Sequence, residues 1–336
     1  MPYTLSRRAA FGPIAALAAV LPSAASWAST GPRPIFVLNS LDADVSVIDP
    51  VRFTEIKRIP TGKEPHHLYL TPDEKSLLVA NALGNSLTFI DPVTAEVQRV
   101  LNDIVDPYHL RFSPDMKWFV TAANRLDHVD LYHWQPKDAA QPLKLVKRIS
   151  APKTPSHLFI DSRSTVVWVS LQDSDELLAI DLATQAPRWK IKVGKMPADV
   201  YLSRDDKRLF VGLTGDRFVE VYDVSGPAPR LLQRIATGAG AHAFRARGDG
   251  KHLFVSNRVA NSISMIDMQA MTVVAELPGP SGPDCMEVLA DGKTLLVSSR
   301  WARKLSFIDI DNRKLLRQVP VGKSPHGVWT LDHAPR

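Results

Sequence analysis

The chain has 336 residues, 41 Lys and Arg against 35 Asp and Glu, a net charge of +6 and 45% hydrophobic residues. Charges of both signs are interspersed and no Lys/Arg block occurs, which argues against a surface that tracks nucleic acid. A single cysteine, Cys285, excludes an internal disulfide.

The first segment reads as an export signal. Arg7 and Arg8 precede an apolar run from Phe11 to Leu21 that is too short to cross a bilayer, and Ser26-Trp27-Ala28 offers small residues at the positions a signal peptidase reads. Ser6-Arg7-Arg8 with Phe11 resembles a twin-arginine signal with the Phe one residue late. The sequence thus predicts a signal peptide over 1–28, export to a bacterial periplasm with no membrane span, and one domain over 29–336. Removing Arg7 and Arg8 takes the charge from +6 to +4. The remainder is long enough to bury roughly three quarters of its unfolded surface.

From Thr61 to Pro92 the chain reads TGKEPHHLYLTPDEKSLLVANALGNSLTFIDP, and this pattern returns, altered, six more times. Each copy has a Pro and usually a His, a short alternating strand, a polar turn, a β-rich run, a loop and a second β-rich run ending in Asp. The position of His67 recurs at His109, His157, Asp199, His242, Cys285 and Gly327, in steps of 42, 48, 42, 43, 43 and 42 residues. A period in the forties built from short strands is the signature of a β-propeller with one blade per repeat. Ile35 to Gly62 supplies strands two, three and four of a blade whose first strand stands at the other end of the chain, as HGVWTL from His326 to Leu331. The predicted fold is therefore all-β: a seven-bladed propeller closed by N-terminal strands pairing with the C-terminal strand. Such a closed ring needs no partner for stability, and the protein is expected to be a monomer. Turns such as Thr71-Pro72-Asp73, Ser113-Pro114-Asp115 and Ser203-Arg204-Asp205 read as scaffold, and Trp118, Trp168 and Trp301 as packing between blades.

Leu77-Leu78-Val79-Ala80-Asn81 through Asn85-Ser86-Leu87-Thr88-Phe89-Ile90-Asp91 resembles the YVTN-type β-propeller repeat, and the resemblance covers essentially the whole mature chain. The wider group it resembles includes the haem-d1-binding (cytochrome d1-like) propellers, quinoprotein amine dehydrogenase subunits and lactonase-like enzymes. The resemblance implies the fold and leaves the function open.

The first strand of each blade is the innermost, so its first residues line the channel. Strand two returns beside it, and its end, read at Asn81, Asn124, Asn257 and Ser299, shares that face with Arg125, Arg258 and Arg300. The predicted channel mouth gathers His66, His67, His109, His157, Asp199, His242, Cys285 and His326. Six of the ten histidines thus fall at one structural position or next to it. Imidazole, thiolate and carboxylate are the usual ligands of transition metals, and arginine forks suit carboxylates or phosphates. His67, His109 and His157 come from three adjacent blades and form the best candidate for a shared site. A second reading needs no ligand: channel mouths hold water, and a His after Pro can lock blades together by hydrogen bonds. No CxxCH, HExxH, Walker loop or GxSxG elbow occurs.

Three functions remain open on these residues. One is a binding protein for a transition metal, a tetrapyrrole such as haem d1, or another anionic small ligand, with Arg125, Arg258, Arg300, Asn81, Asn124 and Asn257 at the cofactor. Another is an enzyme, lactonase-like or an oxidoreductase, using the same mouth. The third is a scaffold for another periplasmic protein.

Overall fold

The computed structural model describes residues 32–335; the signal sequence expected over 1–28 lies outside the described residues. Twenty-eight strands form seven four-stranded antiparallel sheets, the blades of a propeller. The closing blade has the order β28 (Pro325–Thr330), β1 (Ile35–Asn39), β2 (Asp44–Asp49), β3 (Thr54–Pro60). Ile35 pairs with Thr330, Phe36 with Trp329 and Val37 with Val328, so the ring closes through the predicted strand pairing. Blades one to six follow in chain order, and no described helix is long and apolar enough to cross a membrane.

Seven hydrophobic clusters hold the ring, one at each blade–blade junction. Strands two and three are buried on both faces, as in β5 (Leu77–Asn81) and β6 (Ser86–Ile90), which accounts for runs such as LLVAN that do not alternate. The outermost strands alternate instead, as in β3, where only Ile59 is fully covered. Each fully buried Phe or Leu contributes about 1.5–3 kcal/mol, and Phe36, Phe119, Phe254 and Phe307 repeat this contribution around the ring. Trp168 packs between blades as expected, in one cluster with Val200 and Leu202 of the next blade, whereas Trp301 is 55% exposed and lies over Gly282.

Two repeated features are scaffold. The strand-end aspartates accept backbone N–H bonds within their own turns: Asp49 from Val51 and Arg52, Asp91 from Val93 and Thr94, Asp267 from Gln269 and Ala270. The asparagines ending strand two lie over glycines that have no room for a side chain. A Cβ on Gly62 or Gly238 would come within 2.8 Å of Asn81 or Asn257.

Candidate functional site: a histidine cluster inside the channel

The inner strands turn two successive side chains inward rather than one. In every blade the residue before the Pro that leads into the inner strand (Ala241 in blade five) has a left-handed backbone: Glu64, Asp106, Thr154, Met196, Gly240, Gly282 and Ser324. In six blades the pairing with strand two then slips by one residue, as between Pro65 and His67 in β4 (Pro65–Leu70). Such a bulge re-aims side chains. The result is two stacked rings. The first holds His66, Tyr108, Ser156, Ala198, His242, Asp284 and His326; the second holds His67, His109, His157, Asp199, Ala243, Cys285 and Gly327. His242, aligned with Asp199 and Cys285 in the sequence reading, belongs one register earlier. In its repeat Ala241 stands where the others have Pro and pairs with Asn257 as Pro65 pairs with Asn81.

The six predicted histidines converge, but not at an open mouth. All are buried, His66, His157, His242 and His326 at 2% exposure or less. The expected mouth is closed because first-ring side chains of three adjacent blades stack together: His66 lies 3.8 Å from Tyr108 and 3.7 Å from His326, ring centre to ring centre. His67, His109 and His157 do form one group, with centroids 4.3, 4.8 and 4.9 Å apart. One ligand atom from each lies within 4.8 Å of the others, as do those of His242, Asp284 and His326, and of His66, His67 and His326.

Most of the histidines have one nitrogen occupied and the other free. His326 Nδ1 lies 2.8 Å from the carbonyl oxygen of His66, and His67 Nδ1 lies 2.8 Å from that of Tyr108. A carbonyl only accepts, so these nitrogens carry the proton and Nε2 keeps its lone pair. His242 Nδ1 meets Thr214 Oγ1 at 3.2 Å, and that hydroxyl donates to Ala241 O. His157 Nδ1 meets Ser156 Oγ at 3.0 Å. Opposite these bonds, Nε2 of His157, His242 and His326, Nδ1 of His109 and Oδ1 of Asp284 are buried without a hydrogen-bond partner. Asp284 Oδ1 is 3.2 Å from His242 Nε2 and 3.4 Å from His326 Nε2, yet none of these atoms is aligned for a hydrogen bond.

Burial pushes His67 and His242 down to about 4 and holds His66, His109, His157 and His326 well below the usual histidine value. All six are therefore neutral at neutral pH, the state that ligates metal. Burial opposes the charge on Asp284 as well, but the Arg258 guanidinium beside it holds its carboxyl well below the usual range. Burial likewise pushes the Cys285 thiol well up, and its Sγ lies 3.5 Å from His326 Nδ1.

The expected anion clamps are already engaged. Arg258 and Arg300 reach Asp284 at 2.8 and 3.5 Å, and Arg125 pairs with Asp106 at 2.6 Å and Glu64 at 2.9 Å. The Asn81 amide donates to Ser86 and Thr88, and that of Asn257 to Ser262 and Ser264, within their own hairpins. These amides are tied into the blades and do not face the cluster. Asn124 lies one residue beyond β9 (Trp118–Ala123), where Ala123 takes the equivalent place. Asp199 does face the channel but stands apart from the histidine groups. It accepts N–H bonds from Val200 and Phe244, both at 2.8 Å, and burial pushes it up to about 6.

Access comes from the opposite end. A cavity of about 510 Å³ has Pro72, Ser113, Pro114 and Ser203 of the turns among its outer residues, and reaches His67, His109 and His157 at its floor. The turns that read as scaffold also frame this opening. The sequence reading missed three residues. Tyr108 and Asp284 follow Pro107 and Pro283 as His66 follows Pro65, and that register was the available signal. Arg111, on the cavity wall, is two residues along the inner strand from His109, a position that faces inward by period-two alternation.

Seven blades around a channel filled by imidazoles define the class: a β-propeller with a candidate ligand site on its axis. The chain belongs to the YNCE-like β-propeller family, whose model matches residues 7–336. No curated protein matches it in sequence. Solved structures with the same fold include the Pseudomonas aeruginosa periplasmic gluconolactonase PpgL, at 18% identity and TM-score 0.75, covering 89% of this chain and 99% of that one. The dihydro-heme d1 dehydrogenase NirN in complex with DHE is 19% identical with TM-score 0.62, covering 92% and 77%. A functionally unknown protein from Desulfotomaculum acetoxidans is 14% identical with TM-score 0.74, covering 88% and 98%.

Proposed function

We propose that this propeller is an exported periplasmic protein that binds a transition metal ion in its channel, through His67, His109 and His157 at the cavity floor. His242, Asp284 and His326 offer a second, closed set of ligands behind them. One observation carries the reading: five ligand atoms of the cluster are buried with no hydrogen-bond partner. Each such atom costs about 1–3 kcal/mol if nothing meets it, and a metal ion meets several at once. The bonds from Nδ1 of His67, His242 and His326 are the outer contacts that orient a ligating imidazole and fix its tautomer. Three neutral histidines facing a cavity leave a coordination position open for a small molecule. Export is supported by the composition of residues 1–28.

A tetrapyrrole finds axial histidines here, and NirN, a propeller of the same fold, was solved with DHE. Arg125, Arg258 and Arg300, however, are committed to carboxylates of this chain, so the anion-binding half of that reading has less support than the metal half. Titrating metal-free protein with Co(II) and Zn(II) tests the proposal. Stoichiometric binding with a tetrahedral or five-coordinate Co(II) visible spectrum, lost in a triple His67→Ala, His109→Ala, His157→Ala variant that still folds, supports it. Unchanged binding in the variant, or no binding to the wild type, rejects it.

A further inference from the structure

The cavity above the three-histidine floor has a feature that metal ligation does not use. Arg111, on β8 (His109–Phe112), lies along its wall. Its guanidinium carbon is 4.2 Å from the ring centre of Phe159 and 5.7 Å from that of Tyr69, so rings of the two flanking blades hold it. Its Nε is buried without a hydrogen-bond partner. Arg245, on the same wall, is different: it bonds Glu287 and the carbonyl of Ala334. Two carboxylates line the same cavity: Asp199 spends its oxygens on the N–H groups of Val200 and Phe244, and Asp206 accepts from the N–H and hydroxyl of Ser162.

A guanidinium left half-buried with a donor unmet is costly, and its fork of N–H groups matches a carboxylate. Phe159, Tyr201, Phe244, Met116 and Met286 supply the apolar part of the lining, beside Ser162, Ser203, Arg204 and Asp206. A volume of about 510 Å³ falls in the range of small-molecule sites. With Arg245 already neutralised by Glu287, and Asp199 and Asp206 set against Arg111 and Arg204, the lining suits one negative charge and not a phosphate dianion.

We infer that this cavity binds a small organic acid with a flat apolar body, its carboxylate on Arg111 and its other end over His67, His109 and His157. The inference deepens the metal-site reading by naming what approaches the site. It rests on that reading only for what the ligand meets at the floor; the Arg111 contact needs no metal.

The test is calorimetric titration of the full chain, metal-free and metal-loaded, with benzoate and phenylacetate against the neutral isosteres benzamide and phenylacetamide. The expected result is that the acids bind at least about 10-fold more tightly than the amides, as charge-assisted bonds require. Arg111→Gln removes the difference, Arg111→Lys keeps part of it, and metal titration of Arg111→Gln is unchanged. Acids binding no better than amides to the wild type, a preference that survives in Arg111→Gln, or no acid binding at about 1 mM would overturn the inference. Acid binding by a protein that takes up no metal would sink the metal reading and leave this one standing.

Discussion

His326 Nδ1 lies 2.8 Å from the carbonyl oxygen of His66, a residue 260 positions earlier in the chain. The contact joins the C-terminal inner strand of the closing blade to the inner strand of blade one. The strand that closes the ring therefore also sets the tautomer of a candidate ligand, so closure and site assembly are coupled. Removing Pro325 to Arg336 should abolish metal uptake and destabilise the whole ring, because the cluster of Phe36, Leu77, Val79 and Trp329 loses a wall. Metal uptake that survives in the truncated chain would show that the closing strand is not needed by the site.

Asp284 is the hinge of the charge balance. It is fully buried and faces Arg258, Arg300, His242 and His326. Asp284→Asn leaves Arg258 largely buried without its anion, a change that costs about 3–5 kcal/mol when one partner of a buried pair is removed. Urea denaturation of metal-free protein should show a loss of that order, and a loss below about 1 kcal/mol would mean that water already solvates the pair.

Asn81 and Asn257 separate scaffold from site. Each amide donates two hydrogen bonds within its own hairpin. Replacing either by Ala should cost about 1–3 kcal/mol of stability and leave metal affinity unchanged. A lost metal site with intact stability would return these residues to the cofactor, where the sequence reading puts them.

The buried histidines make the metal-free protein acid-labile. His67 and His242 have folded values of about 4 against an ordinary 6.5. Below pH 6.5 the unfolded chain takes up protons that the folded chain refuses, so stability present above 6.5 is lost as pH falls toward 4. At pH 5 these two residues alone cost about 2 kcal/mol each. Asp199 acts in the opposite sense: its raised value gives stability that is lost as pH rises from 3.8 to about 6. Burial raises Asp106 as well, but two carboxyls do not offset six imidazoles. Denaturant midpoints of metal-free protein should fall steeply between pH 7 and pH 5; a flat profile would contradict the burial of the cluster.

Cys285 should be a poor nucleophile. Burial pushes its thiol well up, so at pH 8 little thiolate exists to react. Iodoacetamide labelling of native protein should be far slower than of the urea-unfolded chain, and equal rates would show an open, ionised thiol.

The fold was legible because each level repeats. Buried strands such as LLVAN, turn aspartates and the split blade all recur at a period that allows one architecture. The convergence of His67, His109 and His157 was legible for the same reason. The register of His242 was not: the bulge in each inner strand turns two successive residues inward, and spacing alone cannot tell the first from the second. The open mouth was also misread, because nothing in linear order shows that His66 stacks between Tyr108 and His326 and closes it. Arg125 and Arg258 reach Glu64 and Asp284 of a neighbouring blade, while Arg125 and Arg300 also reach Asp106 and Asp284 of their own; partners 16 to 61 residues apart leave no local pattern. The entry from the turn end was hidden because Pro72, Pro114 and Ser203 sit in sequences that any hairpin would use.

The most direct measurement is metal content and visible absorption of protein purified from its native organism, beside a His67→Ala, His109→Ala, His157→Ala variant prepared identically. The account predicts a colourless or weakly coloured protein with one or two equivalents of a transition metal, reduced by at least one in the variant. Metal-free protein that takes up no added metal would contradict it, and intense tetrapyrrole bands would replace the bare ion with a haem-type ligand in the same channel.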